Sequence, residues 1–157
     1  MFGPGRNPTV KIGRDDEDDA DVFEIVGKSL FSRATYFESR KWGRFEWRYA
    51  RKVERQALAA ATDDEEAYNL LVLEKIEVGA GGKEERIRVA QLVRGKETRT
   101  PGTKVCYAGN GGRLEMCLRR DGEKVLVDEV TVVVTCLVML KKEIDRLRAI
   151  QTAVILH

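Results

Sequence analysis

DEVTVVVTCLVMLKKEIDRLR, residues 128–148, holds eleven uncharged, mostly apolar residues in a row, Val130 to Leu140, and then dense charge. A helix that spans a bilayer needs roughly 20 apolar residues. This run is about half that length and is bounded by Asp128 and Glu129 on one side and by Lys141, Lys142 and Glu143 on the other, so it does not read as a membrane anchor. Val132, Val133 and Val134 favour a strand, because branched side chains are stiff in helices. A longer pattern opposes that reading. Val133, Leu137, Leu140, Ile144, Leu147 and Val154 recur at spacings of 4, 3, 4, 3 and 7, a helical period interrupted by Gln151. Asp128 and Glu129 suit the N-terminal end of the helix dipole, and the bases suit its C-terminal half. A helix apolar on every side from Val130 to Leu140 belongs inside a protein. The expectation is a buried helix with a sheet curled around it.

Upstream the sequence reads as strands. VFEIV (22–26) and ATYFES (34–39) are short candidates. RFEWRYARKV (44–53) puts Phe45, Trp47, Tyr49 and Val53 on one parity and Glu46, Arg48 and Lys52 on the other, which predicts a half-buried strand. Its good helix formers make a helix the competing reading. The strand is taken to about Val53, with a helical or irregular turn through Ala61. YNLLVLEKIEV (68–78) and RIRVAQLV (86–93) are joined by GAGGKEE, and KVCYA (104–108), RLEMCLRR (113–120) and EKVLV (123–127) follow. Asn110-Gly111 and Asp121-Gly122 suit tight hairpins. Strands without βαβ rhythm predict an antiparallel meander. Residues 1–21, Gly/Pro-rich and then acidic, read as a flexible lead-in, and 22–157 as a single domain. The predicted fold is mainly β: an antiparallel closed barrel wrapped around a C-terminal hydrophobic helix.

Composition narrows the class. The chain has 157 residues, 34% of them charged, and a net charge of +2. The charge is segregated: residues 14–24 hold seven acids against one Arg, and residues 33–55 hold eight Lys/Arg against three Glu. Such asymmetry bears on partners more than the total does. Cys106, Cys117 and Cys136 fit no zinc spacing and read as buried free thiols of a reducing compartment. MFGPGRNPTV lacks the apolar run of a signal peptide. The expected location is cytoplasmic, with peripheral attachment to a membrane.

The chain resembles the tubby C-terminal-like superfamily, which includes tubby proteins, phospholipid scramblases and LURP-one-related proteins. The resemblance rests on DEVTVVVTCLVMLKKEI, where an acidic residue precedes a Val/Leu-rich helix, and on GRFEWR, RVAQLV and GGRLEMCL, which resemble short single-domain fungal members. It covers roughly residues 22–145. The extended C-terminal signature of tubby proteins is absent, as are the scramblase Cys-rich run and full membrane helix. The resemblance implies a closed antiparallel barrel around a hydrophobic helix, and a basic barrel surface of the kind that binds phosphoinositide headgroups in tubby proteins.

Catalytic patterns are sparse. The one histidine is the terminal His157, which argues against Ser-His-Asp and Cys-His centres. The acidic run 15–21 lacks the glycine and distal glutamate of an EF-hand, and GAGGK and GNGG complete no P-loop. The basic surface is the stronger signal. Arg40, Lys41 and Arg44 surround Trp42, and Arg48 and Lys52 share the parity opposite the aromatics. A second set is Arg94, Lys96, Arg99 and Lys104. Cations projecting from a sheet suit phosphates, although a solvated face balanced by Glu38 and Glu46 explains them too. Trp42 could stack on a base, but the near-neutral charge and acidic lead-in argue against nucleic acid. The expected function is a non-enzymatic binding module for anionic phospholipid headgroups, using Arg40, Lys41, Arg44, Arg48 and Lys52, with no metal or cofactor. Two alternatives stand beside it: a scaffold that pairs through the heptad-like C-terminal helix, and a hydrolase with an unidentified carboxylate site.

Overall fold

The computed structural model describes residues 7–14, 19–28, 32–62, 69–79, 81–95, 98, 112–120 and 124–155. The chain is mainly β, with one long C-terminal helix. Strands β1 (Thr9–Ile12) and β2 (Asp21–Glu24) form an antiparallel hairpin. A six-stranded antiparallel meander follows in chain order: β3 (Val26–Gly27), β4 (Thr35–Ser39), β5 (Gly43–Tyr49), β6 (Asn69–Val78), β7 (Glu84–Arg94) and β8 (Arg113–Met116). Helix α1 (Lys52–Thr62) links β5 to β6. A short hairpin of β9 (Arg119–Arg120) and β10 (Lys124–Val125) leads into α2 (Glu129–Ile155). The expected strand 104–108 and the turns at Asn110 and Asp121 lie outside the described residues.

The two faces of the meander have different chemistry. Phe37, Phe45, Trp47, Leu71, Leu73, Ala90 and Leu92 form one core with Val132, Cys136 and Met139 of α2. Phe23, Phe37 and Phe45 stack in series, with centroids 4.9 and 5.1 Å apart. A bulge between Leu73 and Glu74 of β6 leaves Val89 as the extra residue of β7, and Val89 joins Ala90 in this core. On the opposite face Leu70, Val72, Val93 and Ala50 pack against Leu58 of α1.

Four sequence expectations change. The β5 strand ends at Tyr49, and Val53 lies in α1, 74% exposed; the helix formers of 52–62 prevail over the alternation. Part of the lead-in is structured: Val10 of β1 is buried. Asp21, the last residue of that lead-in, accepts hydrogen bonds from Ser39 Oγ at 2.5 Å and from the Arg40 N–H at 3.0 Å. Cys117 is exposed, while Cys136 is buried, and burial pushes its thiol up to about 11; Cys106 is outside the described residues. Finally, the helix is not buried on every side. Thr131, Val132, Thr135, Cys136 and Met139 are buried, but Val130 is 55% and Leu137 60% exposed. The buried set repeats with helical spacing, so a sheet against one face selects those positions and leaves Leu137 outside. Among the described residues no helix is long and apolar enough to cross a membrane.

α2 begins where the sequence signalled. Asp128 caps it, with Oδ1 accepting from the Thr131 N–H at 2.6 Å. Its Oδ2 accepts from Trp42 Nε1 at 2.8 Å, which ties the β4–β5 turn to the helix.

The outer face of β5–β7 carries a network of ion pairs. Arg48 donates to Glu54 at 2.8 Å and to Glu74, Arg86 to Glu46 at 3.0 Å and Glu74 at 3.2 Å, Lys28 to Glu46 at 3.0 Å, and Arg88 to Glu54. Hydrogen bonds from Arg48 hold the Glu54 carboxyl down at about 2. For Glu46 and Glu74 burial pulls upward, but the hydrogen bonds from Lys28, Arg48 and Arg86 outweigh it and both lie below the ordinary carboxylate range. Carboxyls depressed in the folded state stabilise it fully above the unfolded value and lose that contribution as pH falls through the folded one. Urea stability is therefore expected to be flat above about pH 5 and to fall towards pH 2. Glu54→Gln should lower stability at neutral pH by on the order of 2 kcal/mol, screening included, and flatten the acid slope. An unchanged slope would contradict the network.

Candidate anion site at the end of the core

The inward-facing rows of the sheet turn polar at one end. The row of Phe37 in β4 ends at Thr35. The row of Phe45 and Trp47 in β5 ends at Tyr49. The row of Ala90 and Leu92 in β7 ends at Arg94. Strand parity puts each of these polar residues on the core side. On α2 the apolar series Val132, Cys136, Met139 is followed by Lys142, Glu143 and Arg146; the positions 139, 142, 143 and 146 share one helical face. Of these, Thr35, Tyr49, Met139, Lys142, Glu143 and Arg146, together with Gly27, Ser32, Arg33 and Ala34, line a cavity of about 300 Å³, with Arg94 buried behind Glu143.

Glu143 organises its deep side. Oε1 accepts from the Tyr49 hydroxyl and, at 3.5 Å, from Arg33 Nη2; Oε2 accepts from Arg94 Nη2 at 3.1 Å. The Arg94 side chain is fully buried, so an unpaired guanidinium there would be costly and Glu143 offsets its charge. The Arg33 guanidinium lies 4.2 Å from the centre of the Tyr49 ring. Burial, reinforced by the bond to Glu143, pushes the Tyr49 hydroxyl up to about 12.

The open side is cationic. Lys142 Nζ donates to the Ile25 carbonyl at 3.3 Å, and burial pushes its ammonium down from the ordinary lysine range. Arg146 is exposed one turn further on. Among the described residues no carboxylate pairs with Lys142 or Arg146, whereas the neighbouring Lys141 pairs with Asp145 at 2.5 Å. Among the described residues, three cations and one carboxylate therefore line the cavity. Such a lining favours an anion by charge-assisted hydrogen bonds. Among the described residues no group of three His, Cys, Asp or Glu side chains could hold a metal ion.

The residues expected to bind from sequence lie elsewhere. Arg40 and Lys41 are exposed in the β4–β5 turn, at the end of β5 opposite Tyr49; Lys41 sits 5.1 Å from the Trp42 ring. Arg44 is exposed, 5.8 Å from the Tyr36 ring and 3.8 Å from Glu84. Arg48 is held by Glu54 and Glu74 on the face away from the core. Lys52 is exposed at the start of α1. The five do not converge on one point: seven residues of extended strand separate the ends of β5. Trp42, read as able to stack on a base, is half-buried and committed to Asp128. In the second basic set Arg94 is buried, and Lys96, Arg99 and Lys104 lie outside the described residues. Sequence reasoning missed Arg33, Tyr49, Lys142, Glu143 and Arg146 as a group. The helical spacing from Met139 to Arg146 was a usable signal, but Arg33 and Tyr49 join them only through the pairing of β3, β4 and β5. No protein-family model, no curated protein and no solved structure matches this chain.

Proposed function

We propose that this chain is a non-enzymatic binding module that receives an anionic phospholipid headgroup at a membrane surface, in the cavity between Arg33 and α2. The observation that supports the reading best is the pair Lys142 and Arg146: two cations one turn apart on one cavity wall, while Glu143, the one carboxylate of the lining among the described residues, is turned to Tyr49, Arg33 and Arg94. In this reading the strands are the wall of a tubby-like barrel and α2 is its central helix. The single core that joins Phe23, Phe37, Trp47, Leu92, Val127 and Val132 supports that view. Arg40, Lys41, Arg44 and Lys52 then add general attraction to an anionic surface, roughly 1 kcal/mol per cation and fading within a Debye length. Arg48 contributes least, because Glu54 and Glu74 hold it.

Co-sedimentation with vesicles tests this. Wild-type protein should pellet with vesicles containing phosphatidic acid and not with phosphatidylcholine alone. Arg33→Gln combined with Arg146→Gln should abolish the preference for the headgroup. Reversing Arg40, Lys41 and Arg44 to Glu should weaken association mainly at low salt. If wild-type protein stays in the supernatant with anionic vesicles at low salt, the lipid reading is wrong.

A further inference from the structure

We infer that the cavity selects a phosphomonoester dianion over phosphodiesters and carboxylates. The inference rests on the anion-binding reading above and names the ligand class of the same site. The argument is one of oxygen count and charge. Arg33 approaches from the segment leading into β4, and Lys142 and Arg146 approach from α2. A terminal phosphate offers three equivalent oxygens, one for each donor, and carries close to two negative charges at neutral pH. Glu143 is already matched by the buried Arg94, so the charge of the three lining cations is open to a ligand, and a dianion neutralises more of it than a monoanion does. A phosphodiester or a carboxylate has one charge and two free oxygens, so one of the three donors is left without a ligand oxygen.

Lys142 is the discriminating group. Its ammonium sits in the cavity wall with a backbone carbonyl as its protein partner, and burial already disfavours its charge. A group in that position gains most from the second charge of a ligand. Glu143 sets the upper limit. Its carboxylate is fixed by Tyr49 and Arg94, so it cannot turn to a metal or a cation that would bring in a more highly charged ligand. It also repels anions that press deeper than the cationic rim.

Titration calorimetry with glycerol 3-phosphate, dimethyl phosphate and acetate tests the inference, with vesicles of phosphatidic acid and of phosphatidylglycerol as the lipid arm. The monoester should bind roughly tenfold or more tightly than the diester or acetate, in solution or on vesicles. Arg146→Gln, at an exposed position, should weaken monoester binding without unfolding the protein. Lys142→Met should erase the preference for monoester over diester, and Lys142→Arg should restore most of it. Binding of phosphatidic acid vesicles without binding of glycerol 3-phosphate assigns the site to a lipid, and equal binding assigns it to a soluble phosphomonoester. Equal affinity for monoester and diester, or a preference that survives Lys142→Met, overturns the inference and leaves the anion site standing. If none of the probes binds in either arm, the anion reading beneath it falls as well.

Discussion

Val132→Asp should not fold, whereas Leu137→Asp should fold with a thermal midpoint close to that of the wild type. Both substitutions put a carboxylate into the apolar run of α2. They differ in surroundings. Val132 is fully buried against the core of the meander, and Leu137 is 60% exposed. An unpaired carboxylate in the first site costs at least several kcal/mol, a large share of the 5–15 kcal/mol that holds a domain of this kind together. Val132 does lie in the first turns of α2, where a negative charge interacts favourably with the helix dipole. That gain is about 0.3–1 kcal/mol and does not change the outcome. Circular dichroism and a thermal melt of each variant decide the matter. A folded Val132→Asp or an unfolded Leu137→Asp would contradict the docking of α2 by its Val132 face.

Trp47→Ala should be the most damaging truncation on the sheet. Trp47 is fully buried in the core, and its Nε1 donates to Thr135 Oγ1 at 3.0 Å, so it carries both apolar contact and a polar tie from β5 to α2. Removing a buried aromatic side chain of this size costs roughly 3–5 kcal/mol, the spread depending on how far the cavity collapses. The lost hydrogen bond adds little, because Thr135 Oγ1 still donates to the Thr131 carbonyl at 2.7 Å. Trp47→Phe keeps most of the volume and should lose less than half as much. The urea midpoint measures both. Equal losses for the two variants would mean that the hydrogen bond, not the packing, holds the sheet to the helix.

The elements were largely legible in the sequence, and the site was not. Alternation placed Phe45, Trp47 and Tyr49 on one side of β5, and they do face the core. The spacing along 133–154 gave the long helix, and Asp128 marked its start. Burial on every side of Val130–Leu140 was expected, however, and Val130 and Leu137 are exposed. A helix apolar on every side does not disclose which side meets the sheet, and only the packing excludes Leu137. The cavity residues were not picked out for a related reason. Arg40, Lys41 and Arg44 are adjacent in the chain and so look like a cluster. Arg33, Tyr49, Arg94 and Glu143 are far apart in the chain and meet only because the ends of β4, β5 and β7 lie level with the middle of α2. Arg94 was grouped with Lys96, Arg99 and Lys104 as a binding cation although its parity with Leu92 points inward. Clustering along the chain measures local charge, while a cavity is made by pairing across it.

The central claim is that an anion enters the cavity between Arg33 and α2, and not the β4–β5 turn. The most direct measurement is amide chemical-shift mapping of the labelled protein during titration with glycerol 3-phosphate. The account predicts saturable shifts at residues 33–35, at Tyr49 and along 139–146, with residues 40–44 and 52 unmoved. Saturable shifts confined to 40–52, with 139–146 silent, would contradict it.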